Sequence, residues 1–180
     1  MNLGNEYLNI VIQRFKSVKS LGEKTIKQLS ERDIHWVYNA ESNSAAIIVK
    51  HLSGNMVSRW TDFMNSDGEK LDRNRDAEFE DTISSKAELL EVWEHGWQKL
   101  FAALNDLTES DLLKTVYIRG EGHLVIDAIE RQLVHYASHV GQLVYIGKQV
   151  KDSEWETLSI PKGKSQEFLE QMLDQQKKKD

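Results

Sequence analysis

Proline is almost absent from this chain, and its absence limits the folds that the sequence can form. Pro161 is the only proline in 180 residues, and there are ten glycines. Proline and glycine are the residues that most often interrupt helices, so long helices can form throughout the chain before Pro161. Apolar residues recur there with the spacing of helices that bury one face. The sequence therefore predicts an all-α protein.

Four long segments carry this spacing, which predicts a four-helix bundle in a single domain covering residues 1–180. The segments run from about Asn5 to Leu29, from a Ser44 cap to near Met64, from a capping box at Ser85 to Leu107, and from about Ile126 to Val150. Two long connections, 30–43 and 67–80, separate the first three. A hairpin is predicted where Gly120 and Gly122 interrupt residues 115–125, and Ser165 is predicted to cap a short final helix that ends at Leu173.

Charge and composition exclude several classes of function. The net charge is −6 and the pI about 5.6, which disfavours sequence-independent binding to nucleic-acid phosphates. Without cysteine the chain has neither disulfides nor thiolate ligands for a metal. No apolar run approaches the ~20 residues of a membrane span, and the N-terminal residues lack the pattern of a signal peptide. We expect a cytoplasmic protein that binds neither nucleic acid nor membranes.

His135 and His139 are the strongest candidates for chemistry, because they are four residues apart in the fourth helix. That spacing places both imidazoles on one helix face, where they can reach one metal ion. Both lie within the wide buried arc of the helix rather than on its charged strip. Two histidines that form hydrogen bonds inside the core would give the same pattern, so spacing alone leaves both interpretations open.

A metal site with an open coordination position needs a third ligand, for which the chain offers four other histidines. His51 follows Ile47-Ile48-Val49-Lys50 on the second helix, on a polar stripe that suits either a surface residue or the rim of an open site. His35, His95 and His123 are more typical of surface or structural residues. The residues by themselves do not select among these four histidines.

Two motifs together resemble those of the DinB-like superfamily of bacterial metal-binding four-helix bundles. The first is the apolar pair before His51-Leu52, and the second is His135-x-x-x-His139-x-Gly141-Gln142. The stretch from His139 to Lys148, followed by residues 155–165, resembles an uncharacterised Bacillus-type branch of that superfamily. The resemblance covers nearly the whole chain.

The resemblance implies a bundle with up-down-down-up helix order and long crossovers. It also implies that His51, His135 and His139 hold a divalent metal ion, with zinc or nickel expected first. Many relatives are homodimers. Characterised relatives include S-transferases that use bacillithiol or similar thiols, and a mycothiol-dependent isomerase. We therefore expect a metal-dependent enzyme that joins a small thiol to a small electrophile.

The surrounding residues bear on the type of reaction. The His-Glu-x-x-His motif of zinc proteases is absent, because Tyr136, Ala137 and Ser138 separate the two histidines. Asn55 and Arg59 follow His51 at helical spacing and are predicted to orient the thiol or substrate, with solvated helix residues as the alternative. Gln142 is a candidate hydrogen-bond partner of a metal ligand. Two other functions remain open: a dimeric module that binds metal or senses a ligand without catalysis, and a bundle with purely structural histidines.

Overall fold

The computed structural model describes residues 2–178 and is mostly helical. Within that range, the long helices are α1 (Leu3–Gln28), α2 (Ala45–Trp60), α3 (Lys86–Asp106) and α4 (Val125–Lys151), followed by the shorter α5 (Ser165–Lys177). One antiparallel hairpin joins β1 (Thr115–Ile118) to β2 (Glu121–Leu124) just before α4. The predicted four-helix bundle, hairpin and short final helix are confirmed.

Contacts near the helix ends show how α1, α3 and α4 are oriented. Tyr7 near the start of α1 donates a hydrogen bond to Glu130 near the start of α4. Thr25 near the end of α1 packs beside Gly147 near the end of α4, so these two helices are parallel. Lys86 at the start of α3 donates to the backbone carbonyls of Lys27 and Leu29 at the end of α1, so α3 is antiparallel to α1.

The second helix runs antiparallel to α4 and parallel to α3. Trp60 at the end of α2 donates to Tyr136 in α4. His51, earlier in α2, contacts His139, which lies one turn later in α4. Gly96 brings α3 close to α2, since a Cβ there would lie only 2.8 Å from the Cα of Ser53. The helix order is therefore up-down-down-up, as predicted, and α2 packs between α3 and α4.

The long crossover from α2 to α3 is held in place by the hairpin. The Asp67 carboxylate accepts hydrogen bonds from the backbone amides of Arg119 and Gly120, at 2.8 and 2.7 Å. Both turn residues have positive φ, +57° and +76°, which suits the two-residue turn of a hairpin. Gly68 donates its backbone amide to the Tyr117 carbonyl. These contacts fix the crossover against the bundle and position the side chains that follow Gly68.

Some predicted boundaries were wrong. Helix α2 ends at Trp60 rather than near Met64, because the chain turns at Asp62, where φ is +50°. Ser165 is the first residue of α5 rather than its cap. Ser85 caps α3 as predicted, but the Glu88 carboxylate accepts from Ser84. Across residues 2–178, no helix combines the length and the apolar character that crossing a membrane requires.

Candidate metal centre

Three histidines converge between α2 and α4. His51 lies in the middle of α2, and His135 and His139 lie on successive turns of α4. Nε2 of His135 is 3.4 Å from Nε2 of His51 and 3.1 Å from Nε2 of His139. Among the described residues, these three form a group whose ligand atoms all lie within 4.8 Å of one another. The sequence interpretation that left His51 on the surface is wrong, because His51 is only 5% exposed.

The other nitrogen of each ring faces a partner outside this group. Nδ1 of His51 lies 2.9 Å from a carboxylate oxygen of Glu78. Nδ1 of His139 lies 2.8 Å from the amide oxygen of Gln142, and Nδ1 of His135 lies 3.4 Å from that of Gln132. Each partner atom is an acceptor, which favours the tautomer with the proton on Nδ1. Each Nε2 then carries a free lone pair, and the three ligand atoms lie within 4.8 Å of one another.

This arrangement fits a divalent metal ion. Ligand nitrogens at about 2.0–2.1 Å from a tetrahedral zinc ion lie about 3.3 Å apart, and the two separations at His135 are 3.1 and 3.4 Å. Hydrogen bonds from the distal nitrogens of the imidazoles are the usual supports of such ligands. Three histidines leave the fourth tetrahedral position open to water or a substrate, as in catalytic rather than structural sites.

Glu78 is the best supported of these acceptors, because Arg73 holds it in place. The Arg73 guanidinium donates to both carboxylate oxygens of Glu78, at 2.7 and 2.8 Å, and also to Glu69. Phe79 stacks on the His51 ring at a centroid distance of 4.8 Å. Gly54 leaves room for the carboxylate, since a Cβ there would lie 2.5 Å from Oε1 of Glu78. The crossover thus fixes the orientation of the His51 ring.

Burial favours the neutral form of the two imidazoles on α4, which is the form that binds metal. Burial, together with the neighbouring His139 and His51, lowers the pKa of His135 to about 3. Burial also lowers the pKa of His139. Burial alone would raise the pKa of Glu78, but the hydrogen bonds from His51 and Arg73 outweigh that effect and lower it. Glu78 is therefore an anion.

Asn55 and Arg59 continue the row of polar residues along α2. Asn55 is 5% exposed and accepts a hydrogen bond from the buried Tyr136 hydroxyl at 3.0 Å. Arg59 is 3% exposed, and its only ion-pair partner in the described chain is Glu69, at 3.9 Å. The alternative that both are ordinary solvated helix residues is wrong. They lie in the interior between α2, α4 and the crossover.

The other three histidines do not join this group. His35 pairs with Asp81 at 2.9 Å, His123 pairs with Asp127 at 2.8 Å, and His95 is exposed on α3. Their sequence interpretation as surface or structural residues agrees with these positions.

A cleft of about 740 Å³ lies beside the histidines, between α4 and the connection from α1 to α2. Its walls include Trp36, Tyr38, Ile48, Gln142 and Tyr145. The three histidines are not among its lining residues, but Gln142 forms part of the wall and also contacts His139. The cleft therefore adjoins the candidate centre through Gln142.

The fold and site together define a helix bundle with a three-histidine group that could hold a metal ion. Residues 2–164 match the family model described as "Protein of unknown function (DUF1572)". The chain belongs to this DinB/YfiT-like family. Searches of curated proteins and of solved structures gave no match.

Sequence reasoning missed Glu78, Arg73 and Gln132. Glu78 and Arg73 lie in a charged connection without helical periodicity, so no spacing rule relates them to His51. Gln132 could have been found, because it precedes His135 by three residues and the two share a helix face. The same rule identified Gln142 beside His139.

Proposed function

We propose that the protein is a divalent-metal-dependent enzyme that transfers a low-molecular-weight thiol to a small electrophile. The observation that supports this most is the convergence of three Nε2 atoms whose rings are all anchored through Nδ1. His51, His135 and His139 would hold the ion, with zinc or nickel expected first from the resemblance, since imidazole ligands alone discriminate poorly among these metals. We also propose, from the resemblance alone, that the chain belongs to the Bacillus-type branch and forms homodimers.

A divalent ion at this position would stabilise the thiolate, which is the nucleophilic form of a thiol. The thiol sulfur then forms a bond to the electrophilic carbon, the bond to the leaving group breaks, and the thiol proton passes to solvent. The chain contributes three neutral ligands, the tethers that hold their rings, and an adjoining cleft for the organic part of a substrate. The absence of cysteine from the sequence requires the thiol to come from outside.

Thiol transfer fits the surroundings better than hydrolysis does. Activation of water for hydrolysis normally uses a nearby carboxylate as a general base. Glu78 is the carboxylate in contact with the group, and its two oxygens are occupied by His51 and Arg73. A thiol of suitable pKa needs no such base when it attacks.

The occupied Glu78 carboxylate also favours a second candidate, a metal-binding module that senses a ligand without catalysis. Such a module needs the open position and the cleft but no group to transfer protons. Turnover separates the two functions, since the module would bind thiols without accelerating their reaction.

Metal content of tag-free protein, measured by elemental mass spectrometry, is the first test. The wild type should hold close to one ion per chain, and His51→Ala and His135→Ala/His139→Ala should lose it. His95→Ala is the matched control, because His95 is exposed on α3 and should leave the metal content unchanged. The loaded wild type is then assayed with a thiol and a chromogenic electrophile. No rate above the thiol-only background would refute the enzymatic proposal, and no metal after reconstitution would refute both functions.

A further inference from the structure

Arg59 is a buried cation whose hydrogen-bonding groups lack partners. Nε and Nη1 are fully buried and contact no acceptor among residues 2–178. Nη2 approaches Glu69 only to 3.9 Å, which is too long for a hydrogen bond. Guanidinium offers five N–H donors, and burying such a group without acceptors is strongly unfavourable. Arg59 therefore has donors available for an acceptor that the surrounding side chains do not supply.

Arg73, in the same region, is an arginine whose donors do have hydrogen-bond acceptors. Its side chain is also buried, at 5% exposure, but it donates to both oxygens of Glu78 and to both oxygens of Glu69. Arg119 also reaches Glu69, at 3.2 Å. The carboxylates of Glu69 and Glu78 are thus engaged by other residues, and neither is close enough to satisfy Arg59.

The unpaired guanidinium belongs to the same row of side chains as the candidate metal ligand on α2. His51, Asn55 and Arg59 follow one another at intervals of four residues and so share a helix face. Side chains on a helix lean toward its N-terminus, which directs Arg59 back toward Asn55 and His51. Oδ1 of Asn55 accepts from Tyr136, while its Nδ2 has no hydrogen-bond partner in the described chain. Arg59 and Asn55 therefore offer donors on the α2 face that carries His51. The crossover packs against the guanidinium, since a Cβ at Gly68 would lie 2.6 Å from Nη1, so a ligand reaches these donors only when that part of the crossover moves.

We propose that Arg59 and the side-chain amide of Asn55 bind the carboxylate of a small organic ligand whose other end reaches the three histidines. This inference rests on the proposed function, because it specifies the substrate class of the same site. A carboxylate fits better than a phosphate. The planar guanidinium forms paired hydrogen bonds with two coplanar oxygens and balances the single negative charge of a carboxylate, whereas a phosphate dianion would bring a second negative charge that the neutral amide does not balance.

The carboxylate site is tested first in metal-free protein, independently of catalysis. The Nε–H signals of arginines are followed by ¹H–¹⁵N NMR during a titration with acetate, and Arg59→Lys assigns the Arg59 signal. The Arg59 signal should shift in a saturable manner, while that of Arg119, which is 57% exposed, serves as the control for nonspecific effects. An Arg59 signal that shifts no earlier than that of Arg119 would refute the proposal.

The second test uses nickel-loaded protein and matched pairs of thiols. Mercaptocarboxylates of increasing chain length are compared by calorimetry with mercaptoalcohols of the same length. At the best length, the wild type should bind the carboxylate about tenfold more tightly, as expected for hydrogen bonds to a charged group. Arg59→Met should abolish this preference without weakening the binding of the alcohol, and Arg119→Met should retain it. A preference that survives in Arg59→Met would refute the role of Arg59.

The two tests separate failure of this inference from failure of the proposed function. If the protein binds no metal or thiol but acetate shifts the Arg59 signal, the carboxylate site stands and the transferase proposal fails. If thiols bind without any preference for a carboxylate, the transferase proposal stands and this inference fails. Loss of a buried unpaired charge in Arg59→Met should not lower the melting temperature, which excludes misfolding as the reason for lost binding.

Discussion

Replacing Glu78 with glutamine tests whether the crossover controls the candidate metal centre. The carboxylate receives three hydrogen bonds, one from His51 at 2.9 Å and two from Arg73 at 2.7 and 2.8 Å. Glutamine keeps the shape but has a single acceptor oxygen, and its NH₂ group must face one of these donors. With the NH₂ group at the Oε1 position, Nε of Arg73 loses its acceptor. With the NH₂ group at the Oε2 position, Nη2 of Arg73 and Nδ1 of His51 both lose theirs.

The expected losses follow from these contacts. Removing the hydrogen-bond partner of a metal-binding histidine typically weakens metal affinity about 10–100-fold, or about 1.4–2.8 kcal/mol. The metal-free protein should also become less stable by about 1.5–3 kcal/mol, the contribution of one hydrogen bond to a charged group. The penalty stays below that of a fully unpaired buried charge, because Glu69 still neutralises Arg73.

Metal affinity is measured by competition with a chromophoric chelator, and stability by urea unfolding of metal-free protein. Glu80→Gln is the matched control, since Glu80 lies in the same crossover but is exposed. The control should match the wild type in both measurements. Wild-type metal affinity combined with wild-type stability in Glu78→Gln would refute the argument that this carboxylate holds His51 and Arg73 in place.

Three further predictions test the pH dependence of stability, the packing of α3 on α2 and the hydrogen bond between His139 and Gln142. Burial, with the neighbouring histidines, holds the pKa of His135 at about 3, below its ordinary value of about 6.5. Between pH 6.5 and pH 3, His135 is therefore protonated in the unfolded chain but not in the folded one, and this difference lowers stability as the pH falls. Metal-free wild type should therefore lose more unfolding free energy between pH 7 and pH 5 than His135→Gln, and equal losses would contradict this. Gly96→Ala should destabilise by about 1–3 kcal/mol in thermal unfolding, because its Cβ would lie 2.8 Å from Ser53, whereas Gly141→Ala, with open space around it, should stabilise by up to about 1 kcal/mol. Gln142→Ala should weaken metal binding about tenfold in the chelator competition, and unchanged affinity would show that His139 needs no tether.

The fold was largely predictable from local patterns, because each long helix buries one regular stripe. Ser44 and Ser85 cap their helices as the sequence indicated, and the hairpin turns at Gly120. The burial of His51 was harder to foresee. Its stripe on α2 is polar, and only the crossover that folds over it makes that face an interior.

The candidate site was predictable where its residues share a helix and not where the crossover supplies them. His135 and His139, with Gln142 beside them, follow from spacing within α4. The contact between His51 and Glu78 joins residues 27 positions apart, and the hairpin fixes it through Asp67. No local rule relates such positions, since the register of an irregular segment depends on its tertiary contacts.

The three hydrogen bonds at Nδ1 of the histidines, to Glu78, Gln132 and Gln142, divide the candidate centre into two parts of unequal stiffness. His135 and His139 are held by glutamines of their own helix, so this pair exists whenever α4 is folded. His51 depends on Glu78, which lies in a single turn of 3-10 helix (Asp76–Phe79) within the crossover, and such connections open more readily than core helices. We expect an incoming ion to bind the α4 pair first and to be locked in place by His51. The lifetime of the bound ion would then be set by opening of the crossover, and a molecule that binds the crossover could accelerate or delay metal release without touching a ligand.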